Sequence, residues 1–127
     1  GVVRFSDRDR RLKTIKRFLK IPLYKVGVWV VLSDDAHAVR NSLKVFGDYE
    51  ATDWAGLHSW SGDGVFGVFF QRAHFNAEVL AHEVFHCTHR IAAWANVKFD
   101  IDNHEAFALL HGYLFKQVFE LTKRHLK

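Results

Sequence analysis

Apolar residues recur along the chain with two different periods, and the changes from one to the other mark out its elements. Leu12, Ile15, Phe18 and Leu19 fall at spacings of three and four behind a capping Ser6, which predicts an amphipathic helix over Asp7 to Lys20, ending before Pro22. Tyr24 to Leu32 is dense in Val, Trp and Tyr and reads as a buried strand. Ser33, Asp34 and Asp35 then offer an N-cap and first-turn negative charge to a second helix, whose Val39, Leu43 and Phe46 form one stripe before Gly47 stops it. Leu57 to Trp60 and Val65 to Phe70 flank Ser61-Gly62-Asp63-Gly64, the pattern of a β-hairpin with a glycine-rich turn. Gly67, inside the second of these strands, marks either a tight packing point or a place where another backbone, such as a substrate's, comes close. On the second reading, Val65 to Phe70 is the edge strand that holds an extended peptide.

Two further helices complete the pattern. Asn76 caps the first, with Phe75 and Leu80 spaced as a hydrophobic staple. Its Val79, Leu80, Val84, Phe85, Ile91 and Trp94 are apolar nearly all round, so it is expected to be central and buried. The last runs from about Asn103 to Lys123, with Phe107, Leu110, Leu114, Val118 and Leu121 in register. The fold class is therefore α+β, a small twisted sheet packed on helices, the last two antiparallel.

Composition narrows this picture. At 127 residues and 49% hydrophobic, residues 1–127 suit one compact domain with a sizeable core. No apolar run approaches the roughly 18 residues of a membrane span, and no signal-peptide pattern opens the chain, so a soluble cytoplasmic protein is expected. Cys87 is the only cysteine, which excludes an intrachain disulfide and suits a reducing compartment. Methionine is absent even at position 1, so Gly1 is read as a processed or trimmed start. The net charge of +4 is local: Gly1 to Lys20 carries eight Lys or Arg against two Asp, and the remainder ten against twelve. That basic segment is a solvated face or a weak docking point for an acidic partner, nucleic acid included.

The chemistry gathers in Glu78 to Arg90. His82 and His86 are four apart on a helix and so present two imidazoles to one ion, with Glu83 one step round from them. A catalytic zinc keeps three protein ligands and one open position, so a third donor must come from another element. Glu105 is the best placed, separated from His86 by 18 residues at the mouth of the last helix, with Ala108 and Gly112 on about the same face to let that helix come close. A capping role shared with Asp102 is the competing reading of Glu105, and core histidines satisfied by hydrogen bonds that of His82 and His86. His104 is a rival ligand; His89 reads as packing, and Cys87 as a small buried hydrophobe.

His82-Glu83-Val84-Phe85-His86 followed by Asn103-His104-Glu105-Ala106-Phe107-Ala108 resembles the gluzincin group of zinc metallopeptidases, above all the M1-type aminopeptidases. The likeness covers about Asn76 to Tyr113, and the short chain also resembles the compact metallopeptidase-like proteins of phages and prophages. The resemblance implies a minimal zincin-like fold, one Zn²⁺ per chain held by His82, His86 and Glu105, Glu83 as general base, a peptide or protein substrate, and the cytoplasm of a bacterial or phage-infected cell. Leu109 stands where thermolysin-like members carry an aspartate that orients a metal histidine, leaving Asp100, Asp102 or Asn103 for that task. Tyr113, ahead of His111 and His104, is the candidate oxyanion donor, against a plain core tyrosine. The expected activity is metal-assisted hydrolysis of a peptide bond. The alternatives are hydrolysis of a non-peptide amide such as a cell-wall crosslink, and a metal-binding interaction module without turnover.

Overall fold

The computed structural model describes residues 14–127 and is α+β. Four strands, β1 (Ile15–Ile21), β2 (Val26–Ser33), β3 (Gly56–Trp60) and β4 (Val65–Gln71), form one mixed sheet in the order β1-β2-β4-β3. The helices are α1 (Ala36–Ser42), α2 (Ala77–Trp94) and α3 (Glu105–Thr122). β2 is antiparallel to β1 and parallel to β4, while β4 is antiparallel to β3.

The sheet is covered on both faces. Val28, Val30 and Leu32 of β2, with Phe66, Val68 and Phe70 of β4, point into the main core alongside Leu80, Val84 and Ile91 of α2 and Leu110, Leu114 and Val118 of α3. On the opposite face Val31 and Phe69 meet Ala36, Val39, Leu43 and Phe46 from the α1 side. α1 starts as its sequence predicts, with the Asp35 carboxylate accepting from the Ala38 N–H at 3.1 Å, but it ends at Ser42 rather than at Gly47: Leu43 is extended, and Lys44–Phe46 form a separate 3₁₀ turn. The hairpin also forms as expected, turning through Gly64 at φ 75°.

Two expectations about the sheet fail. Residues 15–20 are strand and not helix; the Asp7 to Lys13 part of the expected helix lies outside the described residues. β2 is buried along almost its whole length, so its main-chain groups need a hydrogen-bonding partner on each side, and β1 supplies one of them through seven residue pairs. Ile15, Leu19 and Ile21 face the core with the alternation of a strand, a period that Leu12, Ile15, Phe18 and Leu19 also mimic at helical spacing. Lys16, Arg17 and Lys20 stay exposed on this outer strand, a usual defence of a sheet edge. Secondly, β4 is interior and not the edge. It is apolar on both faces, as a strand paired on both sides requires, and β3 forms the margin of the sheet beside α2.

α2 is capped by Asn76, whose Oδ1 accepts from the Val79 N–H at 2.9 Å, and Phe75 and Leu80 join the same core cluster. It ends in a Schellman turn: Asn96 is left-handed at φ 57°, Val97 N–H donates to Ala92 O at 2.8 Å and Asn96 N–H to Ala93 O at 3.3 Å. The helix is not buried all round, because α3 and the sheet cover only part of its circumference. His82, Phe85 and Trp94 remain exposed.

Gly67 proves to be a packing point. A Cβ there would stand 2.6 Å from Phe69 Cε2 and 3.2 Å from Phe46 Cζ, and Phe69 is fully buried. Gly67→Ala should therefore cost about 1–3 kcal/mol in urea unfolding, the usual penalty of overpacking. Gly62→Ala, at a position where an added Cβ meets nothing within 4 Å, should stay within about 0.5 kcal/mol of wild type.

Candidate metal centre and substrate cleft

The helical spacing of His82 and His86 brings their Nε2 atoms to 3.2 Å from one another. Two nitrogens bound to one tetrahedral zinc at about 2.0–2.1 Å lie roughly 3.3–3.4 Å apart, so the pair is set as two corners of such a shell. His86 is held below the ordinary imidazole pKa, first by desolvation and then by His58 and His82 nearby, with Glu83 opposing. The neutral ring this favours is the form that binds a metal.

Glu83 turns away from solvent towards β3 and is 7% exposed. Its Oε1 lies 3.2 Å from His58 Nδ1 and its Oε2 3.9 Å from His82 Nε2. Gly56 makes this approach possible: a Cβ there would sit 2.8 Å from both Glu83 Cγ and Val79 Cγ1. His58 is a site residue that the sequence pattern did not single out. Only its place in β3, two residues after Gly56 and two before Trp60 and so on the same face, would have pointed to it. Its ring stacks on His86 at 4.6 Å between centroids and on Trp60 at 5.7 Å, and the Arg90 guanidinium caps the column 3.5 Å above the Trp60 ring.

The outer margin of β3 presents main-chain groups. Ala55 O accepts from Gln71 N–H at 3.0 Å, and Ser61 N–H donates to Val65 O at 2.9 Å. Because direction alternates along an antiparallel ladder, Leu57 and Ser59 also face β4, whereas Gly56, His58 and Trp60 direct their N–H and C=O groups outward. A hollow of about 220 Å³ adjoins Gly56, His82 and Glu83, and a larger one of about 540 Å³ adjoins His58, Trp60, Arg40 and Arg90.

The other candidates are placed less closely. Glu105 opens α3 with an exposed side chain and makes no hydrogen bond or ion pair among the described residues. Ala108 and Gly112 are exposed as well, and a Cβ on Gly112 would meet nothing within 4 Å, so small residues do not bring the helices together. Their contact is aromatic and polar instead: Phe85 against Phe107 and His111, His89 against Phe107, and Thr88 Oγ1 at 3.0 Å from His111 Nδ1. No capping box forms either, since His104 is the N-cap of α3 and makes no side-chain cap bond. Asp100 Oδ1 accepts from the Asp102 N–H within the preceding turn. Tyr113 lines an apolar groove with Ile21, Leu23 and Leu109, which includes none of the histidine-cluster residues. Cys87 is a core residue, its thiol pushed up to about 12 by burial.

Among the described residues no group of three or more His, Cys, Asp or Glu side chains is gathered as a ligand set. The histidine pair offers two nitrogen donors at the spacing of a zinc shell, and no third donor is gathered beside them among the described residues.

Thr88 donates its hydroxyl proton to Val84 O at 2.8 Å, so His111 meets that oxygen as an Nδ1–H donor in its neutral form. Desolvation lowers the His111 pKa, and below about pH 6.5 the unfolded chain binds a proton that the folded chain resists. Stability should fall as pH drops from 7.5 to 5.5, read as a lower urea midpoint. His111→Gln should flatten part of that fall, with His125, also depressed by burial and by Arg72, contributing another part. The chain matches no model of a known protein family, no curated protein and no solved structure.

Proposed function

We propose that this chain is a zinc-dependent peptidase of the gluzincin kind, acting on an extended peptide laid along β3. The observation that carries the reading is the convergence of His82 Nε2 and His86 Nε2 at 3.2 Å, next to the sequestered Glu83 carboxylate and under a strand margin with outward main-chain groups. His82 and His86 would hold the ion, with Glu105, which the motif assigns to the third position, completing the set. When bound, zinc supplies a Lewis acid that makes water nucleophilic near neutral pH and polarises a carbonyl.

The chain's own groups do the remainder. Gly56, His58 and Trp60 pair with the substrate backbone and fix its carbonyl against the cleft. Glu83 takes the proton that the attacking water sheds and passes it to the departing amine nitrogen as the C–N bond breaks. His58, on Glu83 Oε1, holds the carboxylate so that Oε2 is the atom turned towards His82. Tyr113, in its apolar groove, is given no part in this scheme. No helix among the described residues is long and apolar enough to cross a membrane.

Elemental analysis should find one zinc per chain. Glu83→Gln should keep that zinc and lower hydrolysis of a fluorogenic peptide mixture by about 10²–10⁴-fold, the range for loss of a general base; unchanged turnover would remove Glu83 from the role. Zinc binding without turnover in wild type would favour the interaction module instead. Glu105→Ala should release zinc at chelator concentrations that leave wild type loaded, while its thermal midpoint in EDTA matches that of metal-free wild type. Equal zinc retention would take Glu105 out of the ligand set.

A further inference from the structure

The larger hollow beside β3 is lined by two guanidinium groups, those of Arg40 and Arg90. Arg40 reaches it from α1 and is 6% exposed. Its Nε donates to Ser59 Oγ at 2.9 Å, its Nη1 to Asn41 Oδ1 at 2.8 Å and Gly47 O at 3.0 Å, and its Nη2 to Phe46 O at 3.4 Å. All four acceptors are neutral, and a guanidinium has five N–H donors, so among the described residues one Nη2 N–H has no acceptor. Arg90 enters from α2 on the other side and lies over Trp60. Among the described residues neither guanidinium has a carboxylate within 4.0 Å. Asp48 acts on Arg40 only from a distance, partly offsetting the desolvation that burial imposes.

Burying a cation such as Arg40 without a paired anion is costly, and Arg40 and the exposed Arg90, with no carboxylate partner among the described residues, line one aromatic-walled hollow suited to an incoming carboxylate. The location adds the second half of the argument. The hollow is lined by residues from both faces of β3, Leu57 and Ser59 on one and His58 and Trp60 on the other, so it wraps the outward margin of the strand. Trp60 is two residues, or about 7 Å, along the strand from His58, which contacts Glu83 and His86.

We infer that this hollow is a carboxylate-recognising subsite of the cleft, receiving an acidic side chain or the terminal carboxylate of a peptide within about two or three residues of the bond to be cut. The position relative to a cleaved bond rests on the peptidase reading, but the recognition itself is a binding event that needs no turnover. It makes acidic peptides the preferred substrate class and gives Arg90 and Arg40 the role of specificity residues. Tyr49, whose ring lies 5.3 Å from the Arg40 guanidinium, closes one wall of the subsite.

The test is isothermal titration of the full chain, both as the Glu83→Gln variant and as wild type in EDTA. The probes are N-acetylated, C-amidated hexapeptides of Ala and Val in which a single Glu is walked through the positions. Each is compared with its Gln counterpart and with a Gln peptide bearing a free C-terminal carboxylate. At one or two adjacent positions Glu should bind about ten-fold tighter than Gln, the lower end for a hydrogen bond to a charged group. That advantage should shrink between 0.05 and 0.5 M salt and disappear in Arg90→Gln, an exposed position where folding is not at stake. Preference for the walked Glu assigns the subsite to a side chain, and preference for the free terminus alone assigns it to a chain end. Equal affinity for Glu, Gln and free-terminus peptides, no binding of any peptide, or an advantage that survives Arg90→Gln overturns the inference. Arg40→Gln removes ties to two main-chain oxygens and two side chains and is informative only if circular dichroism matches wild type; Arg90→Gln decides the matter without it. A chain that holds no zinc but keeps the Glu preference would sink the peptidase reading and leave the subsite standing.

Discussion

β2 and β4 lie side by side in the middle of the sheet, buried on both faces, and a parallel pair of this kind cannot be joined by a tight turn. The chain must leave β2, cover one face and return in the same direction. It does so through α1 and the segment after it, reaches the margin of the sheet as β3, and re-enters the middle as β4 by way of the hairpin. The opposite face then remains to be covered, and α2, the next helix, lies across it with α3. The side of α2 that neither the sheet interior nor α3 occupies emerges next to β3, and that side carries His82, Glu83 and His86. The candidate site is thus a consequence of how a parallel pair is connected and then covered.

What could be read from the sequence follows from how local each signal is. The hairpin, the caps of α1 and α2 and the extent of α3 depend on a few neighbouring residues, and all form where the pattern places them. β1 departs from the expected helix because Leu12, Ile15, Phe18 and Leu19 satisfy a helical spacing, while the demand that makes Ile15–Ile21 a strand comes from β2, a non-local partner. The position of β4 was misjudged for the same reason: Gly67 signals closeness, and the sequence does not say whether a substrate or the Phe69 ring is what comes close.

The site divides along the same line. His82, Glu83 and His86 are set by one helix and were legible at once. His58 was not, because its contact with Glu83 spans 25 residues and depends on Gly56 letting strand and helix approach. Glu105 stands at the other extreme, assigned by motif alone and drawn into no contact with the histidines. At the first turn of α3 its carboxylate is exposed and hydrated, and burying it beside the histidines would cost that hydration.

The stacked column of Arg90, Trp60, His58 and His86 has a thermodynamic consequence. The His58 ring is at once a wall of the arginine-lined hollow and a neighbour of the histidine pair. An occupant of the hollow that shifts this ring alters the setting of His86 and of the Glu83 carboxylate that His58 holds. Were an anion in the hollow and an ion on the histidine pair both to bind, linkage would be reciprocal: to whatever degree the anion changed affinity for the ion, the ion would change affinity for the anion by the same factor. Recognition and activation would then be two readings of a single equilibrium, transmitted through one flat ring on a five-residue strand.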